Sequence, residues 1–411
     1  MHAILATTGT DGDVYPYTAL GTRLRSRGHR VTLAANEHYR AMASELGLGF
    51  STLVTNEETG AFLRDPDVWH PLKCGLAGAR WGLGLMPRQY ELLVGLAADE
   101  DAVLVVNPGI LAARLVQEKL STPLVTLLLQ PWGIPSLSAP PVFSGGLTLP
   151  RWAPRPIGKL YWNGVSAVFD LVVGRQLNRL RATLGLPPLR RIFEWWLSPR
   201  LVIGMFPAWY GPPQGDWPAQ VRLAGFPLDD GRPEKEIPRE VEDFCRAGPP
   251  PIAFTLGTGM MHGARFFRAA LEACRMLGAR GVLLTKYRQQ LPATLPPDVL
   301  ICEFAPFLKL FPRCAAVVHH GGVGTVAKAL AAGTPQLLLP LAWDQPDNAV
   351  RVKRLGAGDW LRRGQRSGPR MARALHALAI PERQARCREV ALQLRGEDAL
   401  EVAARWIEEM V

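Results

Sequence analysis

Short apolar runs alternate along the first third of the chain with segments whose leucines recur at helical spacing. HAILAT (2–7) stops at the glycine-bearing stretch TGTDGDVYP, YTALGTRLRSRGH reads as a helix ending near a glycine, and RVTLAA opens a second apolar run. Strand, glycine loop, helix and strand in that order make a βαβ unit, which requires a parallel sheet. AVLVV (102–106), a helix over 110–120 and PLVTLLL (123–129) extend the pattern, so the first half is expected to be a doubly wound α/β domain.

From 130 to 165 the pattern lapses into proline, glycine and aromatic residues, expected as a long irregular wall or lid. The charged, proline-broken stretch 225–244 has the composition of a linker. PPIAFTLGTG (250–259) then restarts the strand and glycine-loop order. A helix over 263–278, the strands GVLLT, VLICE and AAVVH, a helix over 323–332 and the strand PQLLLP follow, and DALEVAARWIEEM closes the chain as an amphipathic helix. The expected division is 1–224, an N-terminal α/β domain; 225–249, a linker; 250–392, a second α/β domain; and 393–411, a C-terminal helix packing back towards the first domain.

Composition narrows the class. With 411 residues, 48% of them apolar, the chain can bury two sizeable cores. It has no apolar run of 18 residues and no basic start followed by a long apolar stretch, so neither a membrane span nor a secretory signal is expected and the chain is placed in the cytoplasm. Six scattered cysteines without CxxC spacing argue against a disulfide framework and a cysteine metal site. The net charge of +11 is spread along the chain, which disfavours nucleic acid and leaves open peripheral contact with the anionic inner face of a membrane.

Two stretches carry candidate chemistry. In TGTDGDV, Asp13 stands at a helix start on the carboxyl edge of the first strand, where this architecture binds ligands; it reads equally as a helix cap. In VHHGGVGTV, a glycine-rich turn between strand and helix offers backbone N–H groups and a helix N-terminus to an anion such as a phosphate. His319 and His320, adjacent at a strand end, point to opposite sides and so do not suit one metal ion; His319 reads as a packed, hydrogen-bonded residue and His320 as the one facing a diphosphate. Downstream, Asp344, Gln345 and Asn348 could read hydroxyl groups by hydrogen bonds.

The run FAPFLKLFPRCAAVVHHGGVGTVAKALAAGTPQLLLPLAWDQPDNA (304–349) resembles the donor-binding motif of family 1 nucleotide-sugar glycosyltransferases, and TGTDGDVYPYTALGTRLRSRGHRVTLA resembles that family's N-terminal motif. Within it, MHAILATTGTDGDVYP, FPAWYGPPQGDWPAQVRLAGFPLDDG (206–231) and ALAAGTPQLLLPLAWDQPDNAVR resemble the rhamnosyltransferase branch of rhamnolipid synthesis. The resemblance implies the GT-B fold, two Rossmann-like doubly wound domains facing a central cleft, with the acceptor held by the N-terminal domain and the donor by the C-terminal one.

It further implies inverting transfer of a hexose, L-rhamnose in that branch, from a UDP- or dTDP-linked sugar to a hydroxyl of a hydrophobic acceptor such as a hydroxy fatty acid ester, without metal or other cofactor. Asp13 would be the base. His320, Gly322, Gly324 and Thr325 would hold the diphosphate with Gly257 and Thr258, Phe304 would stand where a tryptophan stacks on the base in plant members, and Asp344 and Gln345 would bind the sugar. The acceptor would meet Gly12, Trp81, Trp132 and Phe143, although the stretch 81–96 also reads as a core helix. Lys328 departs from the ribose-binding glutamate of plant members, and Asp11 is a second carboxylate beside Asp13. The competing readings are a UDP-glucose-dependent transferase acting on a sterol, polyketide or flavonoid, and a non-catalytic nucleotide-sugar-binding accessory protein.

Overall fold

The computed structural model describes residues 1–150, 152–229, 236–396 and 398–410. The chain forms two compact units, Met1–Arg232 with Glu397–Val411, and Pro233–Gly396.

In the first unit, β1 (His2–Ala6), β2 (Arg30–Asn36), β3 (Gly49–Val54), β4 (Ala102–Val106), β5 (Leu124–Leu128), β6 (Leu201–Gly204) and β7 (Val221–Leu223) form one parallel sheet in the order β3-β2-β1-β4-β5-β6-β7. β1, β4, β5 and β6 are buried at every position, because helices cover both faces of the sheet and their sequences can therefore be continuously apolar. The second unit repeats the plan with β8 (Ile252–Thr255), β9 (Gly281–Leu284), β10 (Val299–Cys302), β11 (Ala316–His319), β12 (Gln336–Leu338) and β13 (Gly358–Trp360), ordered β10-β9-β8-β11-β12-β13. Each sheet grows outward in both directions from its first strand. The switch points lie between β1 and β4 and between β8 and β11, and the crevice beyond the strand ends there is where this architecture takes its ligands.

Several elements differ from the expectation. The helix placed from Tyr17 starts earlier, at Asp11, and runs to Ser26. Pro16 is tolerated because it sits little more than one turn in, where few backbone bonds are lost. The irregular stretch ends at Pro154, not at 165: a 29-residue helix, Arg155–Thr183, follows, with Pro156 in the first turn, where a missing N–H does no harm. The expected linker 225–249 is divided. Residues 230–235 lie outside the described residues, while Ile237 and the helix Arg239–Arg246 belong to the second unit, where Ile237 and Val241 are buried with Val282, Leu284 and Phe311.

The C-terminal helix is Ala399–Glu408, shorter than 393–411, and residues up to Gly396 group with the second unit. Within the first unit it packs on the helix Asp11–Ser26 through Arg23–Asp398 at 2.6 Å, Arg27–Glu401 at 2.6 Å and Arg27–Glu408 at 2.5 Å. The stretch 81–96 is the second half of the helix Cys74–Leu96, whose Leu83, Leu85, Met86 and Leu93 are buried in the first core.

Candidate active site

In the first unit the site forms where β1 ends. Thr7 is fully buried and its hydroxyl donates to the Asp13 carbonyl at 3.2 Å. Gly9 lies at φ +136° with its N–H donating to Asn36 Oδ1 at 3.2 Å, and Thr10 caps the helix Asp11–Ser26. Asp13 is therefore neither the cap nor a loop residue. It is the third residue of the helix, closing a capping box in which its Oδ2 accepts the Thr10 N–H at 2.9 Å and the Thr10 hydroxyl at 3.2 Å. Its Oδ1 has no protein partner among the described residues. The loop has room for this only because residue 9 is glycine: a Cβ there would stand 2.3 Å from Asp13 Oδ2.

Burial pushes the Asp13 carboxyl up from 3.8 to about 6, the two Thr10 hydrogen bonds pull it back, and repulsion from Asp11 adds a smaller upward push. A carboxyl titrating just below neutrality is suited to accept a proton from a hydroxyl. Asp11 is engaged differently, with its Oδ1 accepting the Tyr39 hydroxyl at 2.7 Å. Gly12 is exposed, with open space where a side chain would project.

Trp132 and Phe143 meet edge to face at 5.6 Å. Phe143 contacts Trp162, at the end of the aromatic stretch 130–165, at 6.0 Å; sequence reading missed the residues that continue the cluster, where Trp162 stacks on Phe193 at 5.8 Å and Phe193 meets Trp196 at 4.7 Å. The only signal for them was the aromatic density of FEWW at 193–196. Trp81 packs against Phe62 at 4.5 Å and on the first core. Among the described residues, the indole N–H groups of Trp81, Trp132 and Trp196 are buried without a protein acceptor.

In the second unit, the register Thr255↔His319 between β8 and β11 brings the loop after β8 beside the turn after β11. His319 is fully buried. Its Nδ1 accepts the Gly321 N–H at 3.2 Å, so its Nε2 carries the proton and donates to Gln336 Oε1 at 2.9 Å. Burial pulls its pKa from 6.5 down to about 3. His320 turns the other way and its ring lies between two glycines: a Cβ at Gly257 would stand 2.8 Å from its Cε1, and one at Gly322 would stand 2.6 Å from its Nε2. Burial holds His320 near pKa 4, so the ring is neutral at pH 7, and its Nδ1 is buried without a protein partner among the described residues.

Gly322 caps the helix Val323–Ala331, whose first turn holds Gly324, with open space around it, and the buried Thr325. The first-turn N–H groups of that helix are the kind of donors that can meet an anion. Thr258 is held by its carbonyl, which accepts the Tyr287 hydroxyl at 3.2 Å. The rest of that loop is tied by buried Gln290, whose amide donates to the Met260 carbonyl at 2.8 Å and whose Oε1 accepts the Gly263 N–H at 2.7 Å. Tyr287 and Gln290 had no signal in the sequence. Phe304 follows β10 with 46% of its surface exposed.

After β12, Asp344 begins the helix Gln345–Arg354 and its Oδ2 accepts the Asn348 amide at 2.7 Å. Asn348, fully buried, also donates to the Gly321 carbonyl at 2.9 Å, joining the two loops. Gln345 is buried, and its Oε1 is consumed by the Leu341 and Ala342 N–H groups at 2.7 and 3.2 Å, which leaves its NH2 as the group able to meet a ligand. Lys328 lies half-buried on the helix Val323–Ala331. Among the described residues, no group of three or more His, Cys, Asp and Glu side chains is arranged to hold a metal ion.

The model of the glycosyltransferase family 28 N-terminal domain matches residues 3–133, and that of the erythromycin biosynthesis protein CIII-like C-terminal domain matches residues 279–407. O-mycaminosyltylonolide 6-deoxyallosyltransferase of Streptomyces fradiae is 34% identical, over 87% of this chain and 84% of its own. The chain belongs to the GT-B glycosyltransferases of this family 28 and erythromycin CIII-like type. The glycosyltransferase is also 31% identical to the vancomycin aglycone glucosyltransferase of Amycolatopsis orientalis, over 98% of this chain and 96% of that one. It shares its fold with the solved spinosyn rhamnosyltransferase SpnG complexed with thymidine diphosphate, at TM-score 0.70 and 19% identity over 99% of this chain and 100% of that one. These likenesses make the protein a hexosyltransferase.

Proposed function

We propose that this glycosyltransferase moves a hexose from a UDP- or dTDP-linked donor to a hydroxyl of a hydrophobic acceptor, with inversion and without a metal. The observation that carries the reading is Asp13: one oxygen is spent on the capping box and the other is left for a hydroxyl, with the carboxyl poised near pKa 6. Asp13 takes the proton of the acceptor hydroxyl as the hydroxyl oxygen attacks the anomeric carbon and the bond to the nucleoside diphosphate breaks. The leaving diphosphate is received by the first turn of the helix Val323–Ala331, by Gly257 and Thr258, and by His320 as a neutral hydrogen-bond donor. Asp344 and the Gln345 NH2 read sugar hydroxyls, and Phe304 lies along the base.

The 6-deoxyallosyltransferase relative supports a 6-deoxyhexose, the class to which L-rhamnose belongs, and the cluster Trp132–Phe143–Trp162–Phe193–Trp196 supports an apolar acceptor such as a hydroxy fatty acid ester. A second reading, glucosyl transfer to a polyketide-like aglycone, is favoured by the aglycone glucosyltransferase relative. Peripheral contact with a membrane belongs to the first reading. A panel of UDP- and dTDP-sugars screened for thermal stabilisation identifies the donor, since a ligand binding only the folded form raises Tm. Transfer with that donor to a 3-hydroxy fatty acid ester or to a macrolactone then separates the two readings, and NMR of the product anomer checks inversion. Retention of configuration, or equal transfer by Asp13→Asn, would refute the mechanism.

A further inference from the structure

The helix Arg155–Thr183 is apolar on two faces: Val173 and Leu177 are buried in the first core, and a second aliphatic stripe faces outward. Its inward positions include Gly158, Ser166 and Gly174, small because the first unit presses close: a Cβ at Gly158 would stand 3.1 Å from Leu137 and one at Gly174 3.4 Å from Ile192. Its outward positions carry Ile157, Leu160, Val168 and Leu171, exposed by 51, 72, 62 and 82%. Residues 157, 160, 164, 168 and 171 fall on one helical stripe, and folding gains nothing from the large aliphatic side chains placed there. Trp152, just before the helix, is 82% exposed and adds an interfacial type of side chain to the same end.

Charge identifies the occupant. Arg155, Lys159, Arg175 and Arg179 are exposed and form no ion pair among the described residues, whereas the fifth cation, Arg181, is buried on Glu118 at 2.6 Å. The one carboxylate of the helix, Asp170, is taken up by the N–H groups of Arg191 and Ile192 at 2.8 and 2.9 Å. Arg175 and Arg179 continue the uncovered apolar stripe towards the helix C-terminus, while Arg155 and Lys159 lie on the other side of the helix, beside Asp216. An apolar stripe extended by unpaired cations complements an anionic bilayer surface, where aliphatic side chains enter the headgroup boundary and the basic residues meet lipid phosphates. A second copy of this chain would bring the same cations face to face.

We propose that this stripe docks the protein on anionic membrane. The proposal extends the membrane part of the reading above and does not depend on the transfer reaction. Wild-type protein is expected to pellet with sucrose-loaded phosphatidylcholine vesicles containing phosphatidylglycerol at low salt, and far less with phosphatidylcholine alone or at high salt. Val168→Gln with Leu171→Gln, both at the surface, is expected to lower partitioning at least about tenfold with Tm unchanged, and Arg175→Glu with Arg179→Glu is expected to remove the preference for anionic lipid. Absence of wild-type binding, equal binding by both variants, or a dimer seen by light scattering that the leucine variant abolishes would overturn it. Donor-induced thermal stabilisation in the same variants, expected to persist, keeps failure of this proposal separate from failure of the transferase reading.

Discussion

Asp13 folds back on Thr10, accepting its N–H at 2.9 Å and its hydroxyl at 3.2 Å through one carboxylate oxygen. The capping box thus fixes the side chain's rotamer and leaves the second oxygen unspent, so helix capping and proton acceptance are compatible in one residue. Asp13→Asn keeps the Thr10 contacts and removes the base. Transfer should fall by roughly 10²–10⁴-fold, with donor-induced stabilisation intact. In the wild type, kcat should decline below a pKa near 6, and Asp11→Asn should keep that limb, moved only slightly lower by loss of the Asp11 repulsion. A limb and turnover lost with Asp11 would transfer the base role to the neighbouring carboxylate.

The same carboxyl destabilises the fold at neutral pH. Its folded pKa, about 6, lies above its ordinary 3.8, so the fold favours the protonated form and stability is lost as pH rises from about 4 to about 6. Asp13→Asn should therefore be more stable than wild type at pH 8, by on the order of 1–3 kcal/mol, and nearly equal to it at pH 4. Denaturant midpoints at the two pH values test this. A gap independent of pH would mean that burial is not what raises the carboxyl.

Glu408 behaves with the opposite sign. Its hydrogen bond to Arg27, helped by His29, holds it down at about 2, so it stabilises the attachment of the helix Ala399–Glu408 above pH 4.5 and loses that contribution as pH falls towards 2. The pair is partly exposed, so Glu408→Gln should destabilise by only on the order of 1 kcal/mol at pH 7, less at high salt, and not at all near pH 2. Melting curves of the two proteins should converge on acidification, and a constant separation would count against the ion pair.

What was legible in the sequence followed chain-local rules. The parallel sheets could be read because strands buried on both faces are written as apolar runs, and the opposite fates of His319 and His320 follow from the alternation of a strand. The helix Arg155–Thr183 was half hidden, since Pro154 and Pro156 suggested a loop and aliphatic residues stand on both its inward face (Val173, Leu177) and its outward face (Ile157, Leu160, Val168, Leu171), which blurs a core-facing stripe. β7 and β13 are three residues each, too short to show a period. The consumption of the Gln345 amide oxygen by Leu341 and Ala342, and the Gln290 clamp on Gly263 and Met260, are set by how loops meet in space and left no trace in spacing.

Gly257 offers a test of the donor side that leaves every polar group in place. It sits at φ +76°, which side-chain-bearing residues adopt with strain, and its missing Cβ is the space that the His320 ring fills. Gly257→Ala must either push the imidazole towards Gly322, where no room exists, or distort the loop that carries Thr258. The strain itself should cost about 1–2 kcal/mol, small against the stability of a whole unit, so the fold should survive. The diphosphate cradle should not: stabilisation by UDP or dTDP should vanish and kcat/KM for the donor should fall by at least about tenfold, since 1.4 kcal/mol of lost contact already gives that factor. Gly278→Ala, at φ +58° with nothing within 4 Å of the added methyl and away from the site, is the matched control for inserting a carbon without a collision. If it matched Gly257→Ala in unligated Tm and Gly257→Ala still bound the nucleotide normally, the His320 ring would not be part of the donor site.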